Sequence, residues 1–439
     1  MRAVLAVALA ATVLFQGPPQ PSADPPRIYS ADPRDSWNQL FAALLTRHVR
    51  TRYTAEFPDR GPFQQSPERF MGPAFTPPAP FGAGVSTRVF DRYEEGDRAV
   101  DALYPTFLNS VGPREALVEP RRGELVGALT AALNDRAPRS PLARALMQAD
   151  LWSAYDGLTV AAGFVSPMVA RARGASPALD EVNGLIATLI GRIALTQSEI
   201  DSLPDNYARA RQSMPLPDLF NGRGDWIEFV FSPIRMHDQE MQYRKAARIM
   251  VRPAGRPSDA AAFLSALRQQ YPLRSASGVA LVEQLLLIDR TGRVVPSPLA
   301  QDVQIRMFND PAGPGRSTVV SEFELSRRRM LSDPASGGFV RFDDRAEAYL
   351  TTSGNDYGFA SPAAPLNSEP TITTLRVRCN ACHGADGFHL MSFSLVSEEG
   401  IPPPRALPQP NDERVTAVAR AKEARDDFKR LIEAAGLRR

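Results

Sequence analysis

The feature that most constrains this chain is a short stretch near its C-terminal end, Cys379-Asn380-Ala381-Cys382-His383. Two cysteines separated by two residues can each form a thioether with one vinyl group of a porphyrin, and the histidine that follows is then placed to ligate the iron from one face. The chain has no other cysteine and has four histidines, His48, His237, His383 and His389. The spacing therefore predicts covalent attachment of one haem c through Cys379 and Cys382, with His383 as the proximal iron ligand.

Other uses of paired cysteines stay as alternatives. A disulfide loop or a thiol redox pair needs no histidine after the second cysteine, and a thioredoxin-like centre opens a helix, which Gly384 and Gly387 would interrupt here. A zinc site would use Cys379, Cys382, His389 and one distant ligand, but structural zinc sites usually supply a second close-spaced ligand pair, and there is no second cysteine pair. Haem attachment is the interpretation that uses both cysteines and the histidine.

The N-terminal residues have the pattern of an export signal. Met1-Arg2 is a basic start, Ala3 to Phe15 is uncharged and apolar, and a polar stretch rich in proline and small residues follows up to Ala23. The apolar run is too short to span a bilayer, which favours a cleaved signal peptide at 1–23 over an anchor, and we expect no transmembrane segment after it. Because haem c is attached outside the cytoplasm, we expect a periplasmic or secreted bacterial protein.

Length and charge limit the remaining possibilities. A chain of 439 residues has room for two or three domains, far more than one haem needs. The net charge of +2 provides no general attraction to nucleic acid, so we expect no nucleic-acid partner. The sequence identifies neither a redox partner protein nor a small-molecule substrate. The run Arg327-Arg328-Arg329 is interpreted as a solvated helix face.

The sequence predicts the α+β class: a helical N-terminal body, a mixed α/β middle region and a C-terminal haem segment that does not match a standard small cytochrome fold. The predicted divisions are a signal peptide at 1–23, a proline-rich linker at 24–34, a mainly helical domain at 35–220, a mixed α/β domain with antiparallel strands at 221–370, and a c-type haem-binding segment with a C-terminal helix at 371–439.

Helix signals are concentrated in the first half. Ser140-Pro141 and Ser176-Pro177 each place a capping residue before a proline at the first helical position. The apolar stripe from Leu179 to Ile193 predicts a buried helix, and Thr196 with Glu199 forms a capping box. The apolar spacing that ends at His48 indicates that this histidine lies on a helix face; the members are Leu40, Phe41, Leu44, Leu45 and His48.

Strand signals dominate from Asp225 to about Phe342. Asp289 to Gly292 predicts a turn between antiparallel strands, and Ala260 to Gln270 predicts a helix. His237 is interpreted as a packed residue rather than an iron ligand. The predicted strands are Trp226 to Phe231, Val282 to Ile288, Val303 to Phe308, Val319 to Leu325 and Phe339 to Phe342.

From about Leu375 the chain resembles a c-type cytochrome at Cys379 to Gly384, and only there. The resemblance implies a haem held by the two cysteines and His383. Small c-type cytochromes have a helix before the motif and a methionine loop several tens of residues after it. Here Thr371 to Arg378 has a strand pattern, and Met391, which is the one methionine after the motif, comes too early for that loop. Thr416 to Leu437 predicts a C-terminal helix.

The presence or absence of a distal ligand to the haem iron distinguishes the possible functions. His389 and Met391 are the local candidates for the distal ligand, with His237 as a distant one and an open site as a further alternative. A strong sixth ligand favours electron transfer, which is the leading hypothesis. An open site favours the alternatives, a haem-dependent oxidoreductase of peroxidase type or a haem-based sensor or binding protein.

Overall fold

The structure is a computed structural model, and the statements below concern the residues that it describes. These are residues 27–45, 48–52, 87–91, 121–159, 177–220, 226–229, 245–254, 276–308, 318–343, 348–351, 371–374 and 413–437.

The helices come from both ends of the chain and the strands mainly from its middle. The helices are α1 (Ser36–Leu45), α2 (Arg121–Asn134), α3 (Pro141–Thr159), α4 (Pro177–Ile193), α5 (Gln197–Asp201), α6 (Asn206–Ala210), α7 (Arg327–Ser332), α8 (Glu413–Ala424) and α9 (Asp426–Ala434). The strands are β1 (His48–Arg52), β2 (Thr87–Asp91), β3 (Ile227–Phe229), β4 (Lys245–Pro253), β5 (Ala276–Ile288), β6 (Val294–Phe308), β7 (Thr318–Leu325), β8 (Phe339–Asp343), β9 (Ala348–Thr351) and β10 (Thr371–Thr374). The combination is an α+β fold, as the sequence predicts.

Local sequence signals account for several helix starts. The Ser140 Oγ accepts a hydrogen bond of 3.1 Å from the Ala143 N–H, and Pro141 is the first residue of α3. At the start of α5, Thr196 Oγ1 accepts from the Glu199 N–H at 3.2 Å while Glu199 Oε2 accepts from the Thr196 N–H at 2.9 Å. This is the predicted capping box. Such caps satisfy amide donors that the first helical turn leaves without partners.

The larger sheet has six strands in the order β3-β4-β5-β6-β7-β8, and every neighbouring pair is antiparallel. The turn between β5 and β6 is the predicted one. Asp289 Oδ1 accepts from the N–H groups of Thr291 and Arg293 at 2.8 and 2.9 Å, and Gly292 has a φ of +78°, which favours glycine. The predicted strands thus exist and pair as antiparallel neighbours.

The smaller sheet has the order β2-β1-β10-β9. Strand β1 is antiparallel to β2 and parallel to β10, while β10 is antiparallel to β9. This sheet therefore joins residues close to the beginning of the described chain to a strand that ends five residues before Cys379.

Two hydrophobic cores share α3. One lies among α1 to α4, α8, α9 and the turn end of the β5–β6 hairpin, and includes Leu40, Phe41, Leu129, Leu151, Ile186, Ile190, Ile288, Phe428 and Leu431. The other lies between the six-stranded sheet and α3, α5, α6 and α7, and includes Leu146, Leu195, Ile200, Leu285, Val303, Phe323, Leu325 and Met330. The predicted α4 stripe is buried in the first core, and each such aliphatic side chain stabilises the fold by roughly 1.5 to 3 kcal/mol.

Two sequence-based expectations are wrong. His48 does not continue α1, which ends at Leu45; it begins β1 and pairs with Asp91 of β2. A partner distant in sequence decides the conformation there, and helical spacing carries no information about it. Arg327 is not solvated, because its side chain is 2% exposed and forms an ion pair with the buried Asp150. Of the three arginines, Arg329 is exposed.

The C-terminal helix predicted at Thr416 to Leu437 is present as two helices. α8 ends at Ala424 and α9 begins at Asp426, with Arg425 between them in an extended conformation at φ −73° and ψ 145°. Phe428, Leu431 and Ile432 form the buried face of α9.

Candidate haem-attachment segment

The strand before the motif is held from both sides. β10 pairs with β9 from Thr371 to Thr374 and meets β1 at the pair Thr371 and Arg52. The predicted strand from Thr371 to Arg378 is therefore present for its first residues. Cys379 follows Thr374 by five residues, so the chain that leads into the motif starts from a strand with two partners.

The helix that follows the Cys379 to His383 motif in the sequence is also anchored. α8 begins at Glu413 and packs against β6. The Glu423 carboxylate accepts a hydrogen bond of 2.8 Å from the Val294 N–H at the start of that strand. In the sequence, the motif thus lies between a strand of the smaller sheet and a helix that packs on the larger sheet.

The second C-terminal helix packs on the helical core. The rings of Phe428 and Trp152 are 5.7 Å apart between centroids. α9 ends against α4, where a Cβ atom added to Gly191 would overlap the carbonyl oxygen of Ala435. Glycine at this position lets the two helices approach closely. The contacts fix the position of α9 on α3 and α4.

Buried charges lie at the junction between α3 and the C-terminal helices. The Asp156 side chain is buried, and this burial raises the pKa of its carboxyl well above the usual range, although the positive charge of Lys422 acts in the opposite direction. Lys422 is only 1% exposed, and its Nζ lies 6.0 Å from the centroid of the Trp152 ring. The junction therefore combines apolar packing with a carboxyl group and an ammonium group that are both removed from water.

A further group of acidic residues lies on one face of the larger sheet. Asp302 of β6 is paired in register with Glu283 of β5 and with Glu324 of β7. Burial, followed by the negative charges of Glu322, Glu283 and Glu324, raises the pKa of Asp302 well above its usual range. The Nε2 of Gln304 donates to Asp302 Oδ2 at 2.8 Å. The group favours a protonated Asp302.

The sequence-predicted site residues lie outside the described residues. This applies to the attachment residues Cys379, Cys382 and His383, to the distal candidates His389, Met391 and His237, to the signal peptide at 1–23 and to the predicted helix at Ala260 to Gln270. Their roles stay predictions. The donor set of two thiols and one imidazole fits haem c by its chemistry.

The described ranges contain neither a metal-binding group nor a membrane-spanning helix. Within residues 27–437, where described, no group of three or more His, Cys, Asp or Glu side chains is arranged to hold a metal ion. In the same described parts, no helix has the length and apolar character that crossing a membrane requires.

Sequence reasoning missed the buried polar side chains that join elements distant in the chain. Gln148 of α3 donates from Nε2 to the Ile288 carbonyl and accepts at Oε1 from the Ile288 N–H, each at 2.8 Å. Asn206 makes the same pair of bonds with Ala300, also at 2.8 Å. Amide side chains on helices give no local signal of such a role, because the partner residue follows 140 residues after Gln148 and 94 residues after Asn206.

Protein-family models, curated proteins and solved structures were compared with this chain, and none of them matches it.

Proposed function

We propose that this protein is an exported c-type haem protein that mediates periplasmic electron transfer through one covalently attached haem. The observation that carries the proposal is the motif Cys379-Asn-Ala-Cys382-His383, which uses both cysteines of the chain. The export pattern at residues 1–23 supports it, because attachment of haem c takes place outside the cytoplasm.

Each residue of the site has a distinct role in the proposal. Cys379 and Cys382 hold the porphyrin by thioether bonds, and His383 ligates the iron on the proximal side. His389 or Met391 supplies the distal ligand. A haem iron with two strong axial ligands takes up and releases one electron without a change of ligand, which suits a carrier.

The anchored flanks add a structural argument. β10, before Cys379, is paired with β1 and β9 of the smaller sheet, and α8, after the motif, is held on the larger sheet by Glu423. In this proposal, the haem-attachment residues therefore follow a paired strand in the sequence and precede a helix that packs on the larger sheet.

Covalent attachment is tested on the full-length chain expressed with a haem-maturation system and exported to a bacterial periplasm. After denaturing electrophoresis, haem should stay on the wild-type protein and be absent from the variant Cys379→Ser/Cys382→Ser. His48→Gln, which changes a histidine outside the motif, is the matched control and should retain haem. Release of haem from the denatured wild type, with Cys379 and Cys382 recovered as thiols, a disulfide or zinc ligands, would contradict the proposal.

Electron transfer is tested separately on the haem-loaded protein. A low-spin spectrum and a reversible one-electron wave in protein-film voltammetry are expected. A high-spin oxidised protein that reacts with peroxide would replace this proposal with the oxidoreductase alternative.

A further inference from the structure

A cavity of about 230 Å³ lies between α6, the loop that follows it and strands β4 to β6. Its apolar lining comes from Val282, Pro298 and Leu299, together with the ring of Phe220. Val282 and Leu299 are 2% and 0% exposed, and the Asn206 amide fixes the strand at Ala300 through two hydrogen bonds of 2.8 Å. One side of the cavity is thus a firmly held part of the core.

The side wall carries a positive charge in a defined position. Arg248 is 4% exposed. Its Nε donates a hydrogen bond to Glu228 Oε1 and its Nη2 donates one to Glu228 Oε2, both at 3.3 Å. Its guanidinium lies 4.7 Å from the centroid of the Phe220 ring. Phe220 in turn makes an edge-to-face contact with Tyr207 at 5.0 Å between centroids. Ion pair and ring stacking together hold the guanidinium rigidly.

A further lining residue, Arg211, has a hydrogen-bond donor without an acceptor in the described part of the chain. Arg211 donates from Nη1 to Asp218 Oδ1 at 2.7 Å. Its Nε is buried and lacks a hydrogen-bond partner among the described residues. A buried N–H without an acceptor costs free energy, and a ligand carboxylate would satisfy it with a charge-assisted bond.

The cavity also carries negative charge. Asp205 and Asp218 belong to its lining, and Asp205 accepts the Ala208 N–H at its Oδ1. Burial raises the pKa of Tyr207, so its hydroxyl stays protonated, and it donates to the Pro217 carbonyl at 2.6 Å. Two guanidinium groups and two carboxylates around one apolar cavity match a ligand that has both charges.

Volume restricts the size of that ligand. A cavity of about 230 Å³ is smaller than the roughly 300 to 1,000 Å³ of sites for drug-sized molecules. We propose that this cavity binds a free α-amino acid with an apolar side chain. The carboxylate binds at Arg211, the ammonium group binds near Asp205 and Asp218, and the side chain lies against Val282 and Leu299.

Titration calorimetry on the full-length protein tests this proposal with L-leucine as the probe. Saturable binding of L-leucine is expected. Two probes each lack one charge, 4-methylpentanoate the ammonium and 3-methylbutylamine the carboxylate, and each should bind at least about tenfold more weakly than L-leucine. Absence of saturable L-leucine binding up to its solubility limit, or equally tight binding of either single-charge probe, would overturn the proposal.

A matched pair of variants locates the binding site. Arg211→Gln removes the donor and should weaken L-leucine binding at least about tenfold. Arg122→Gln is the control, because Arg122 has the same 33% exposed side chain and the same 2.7 Å ion-pair distance, to Glu181, but lies outside the cavity. Equal affinity of Arg211→Gln and the wild type would overturn the assignment.

A second variant tests the site even if Arg211→Gln fails to fold. Ala208 is exposed on α6 and lines the cavity with its side chain. Ala208→Trp should fill the cavity and abolish binding without removing any side-chain hydrogen bond. Unchanged affinity in this variant would place the ligand elsewhere and refute the proposal. The readout does not involve haem, so this test and the haem test fail independently.

Discussion

Arg327 and Asp150 form an ion pair inside the protein, with an Nη2 to Oδ1 distance of 2.8 Å and side chains that are 2% and 1% exposed. Burial raises the pKa of Asp150, and the opposing charge of Arg327 and its hydrogen bond lower it in part. Tyr29 adds a hydrogen bond of 3.4 Å to the second carboxylate oxygen. The pair connects α7, next to the larger sheet, with α3.

Replacement of Arg327 by Met should therefore be strongly destabilising. The change leaves the Asp150 carboxylate buried without its cation, a situation that costs about 3 to 5 kcal/mol of unfolding free energy. Urea unfolding followed by circular dichroism measures the loss. Arg329→Met in the same helix is the control, because Arg329 is exposed, and it should change stability by no more than about 0.5 kcal/mol. Equal losses of unfolding free energy in the two variants would show that the buried ion pair stabilises the fold no more than the exposed Arg329 does.

Two glycines of α4 should respond in opposite directions to the same substitution. Gly191→Ala places a methyl group against the Ala435 carbonyl and should separate α9 from α4, at a cost of roughly 1 to 3 kcal/mol. Gly184→Ala meets no atom within 4 Å and should stabilise the helix by up to about 1 kcal/mol. Thermal unfolding compares them. A melting temperature that rises in both variants would contradict the close approach of α9 to α4.

Asp302→Asn should stabilise the protein in a pH-dependent manner. The folded-state pKa of Asp302 is raised above 3.8, so the folded protein binds a proton that the unfolded chain has lost. The unfolding free energy that protonated Asp302 contributes is fully present below pH 3.8 and is lost as the pH rises through the folded-state pKa of Asp302. The variant and the wild type should be equally stable at low pH, and the variant more stable at higher pH.

Denaturation at a series of pH values measures this difference. Asp426→Asn is a comparison of opposite sign, since a hydrogen bond from Lys429 lowers the pKa of the exposed Asp426 carboxyl. The stability that ionised Asp426 contributes is present above the ordinary pKa of an aspartate and is lost as the pH falls through the folded-state pKa. A stability difference between Asp302→Asn and the wild type that does not vary with pH would disprove the expected titration.

The distal ligand should be identified by paired substitutions in the haem-loaded protein. If His389 ligates the iron, His389→Ala converts the oxidised protein from low-spin to high-spin and permits cyanide and carbon monoxide to bind, while Met391→Ala leaves the spectrum unchanged. If Met391 is the ligand, the results are reversed and the parent has the higher reduction potential. His237→Ala tests the distant candidate. A low-spin spectrum in all three variants would exclude the three proposed ligands.

Local signals predicted those elements whose start and turn chemistry lies within a few residues. Thr196 and Glu199 satisfy each other's backbone N–H groups, and Asp289 with Gly292 forms a complete turn, so these features can be recognised without knowledge of the rest of the fold. The α4 stripe is equally local, because its apolar residues repeat with the period of one helix.

The features that the sequence did not predict depend on partners that are distant in the chain. β4 was not predicted, since its charged and small residues do not alternate like a half-buried strand, and Arg248 is accommodated only by Glu228 and the ring of Phe220. His48 and Arg327 were misjudged for the same reason. The cavity walls come from residues between Asp205 and Ala300 that no spacing rule connects.

The packing of α9 has a consequence for the order of events during biosynthesis. Residues 379–383 are synthesised before Phe428, Leu431 and Ile432, which complete the core around α3 and α4. During synthesis this core therefore stays incomplete until the C-terminal helices have been made.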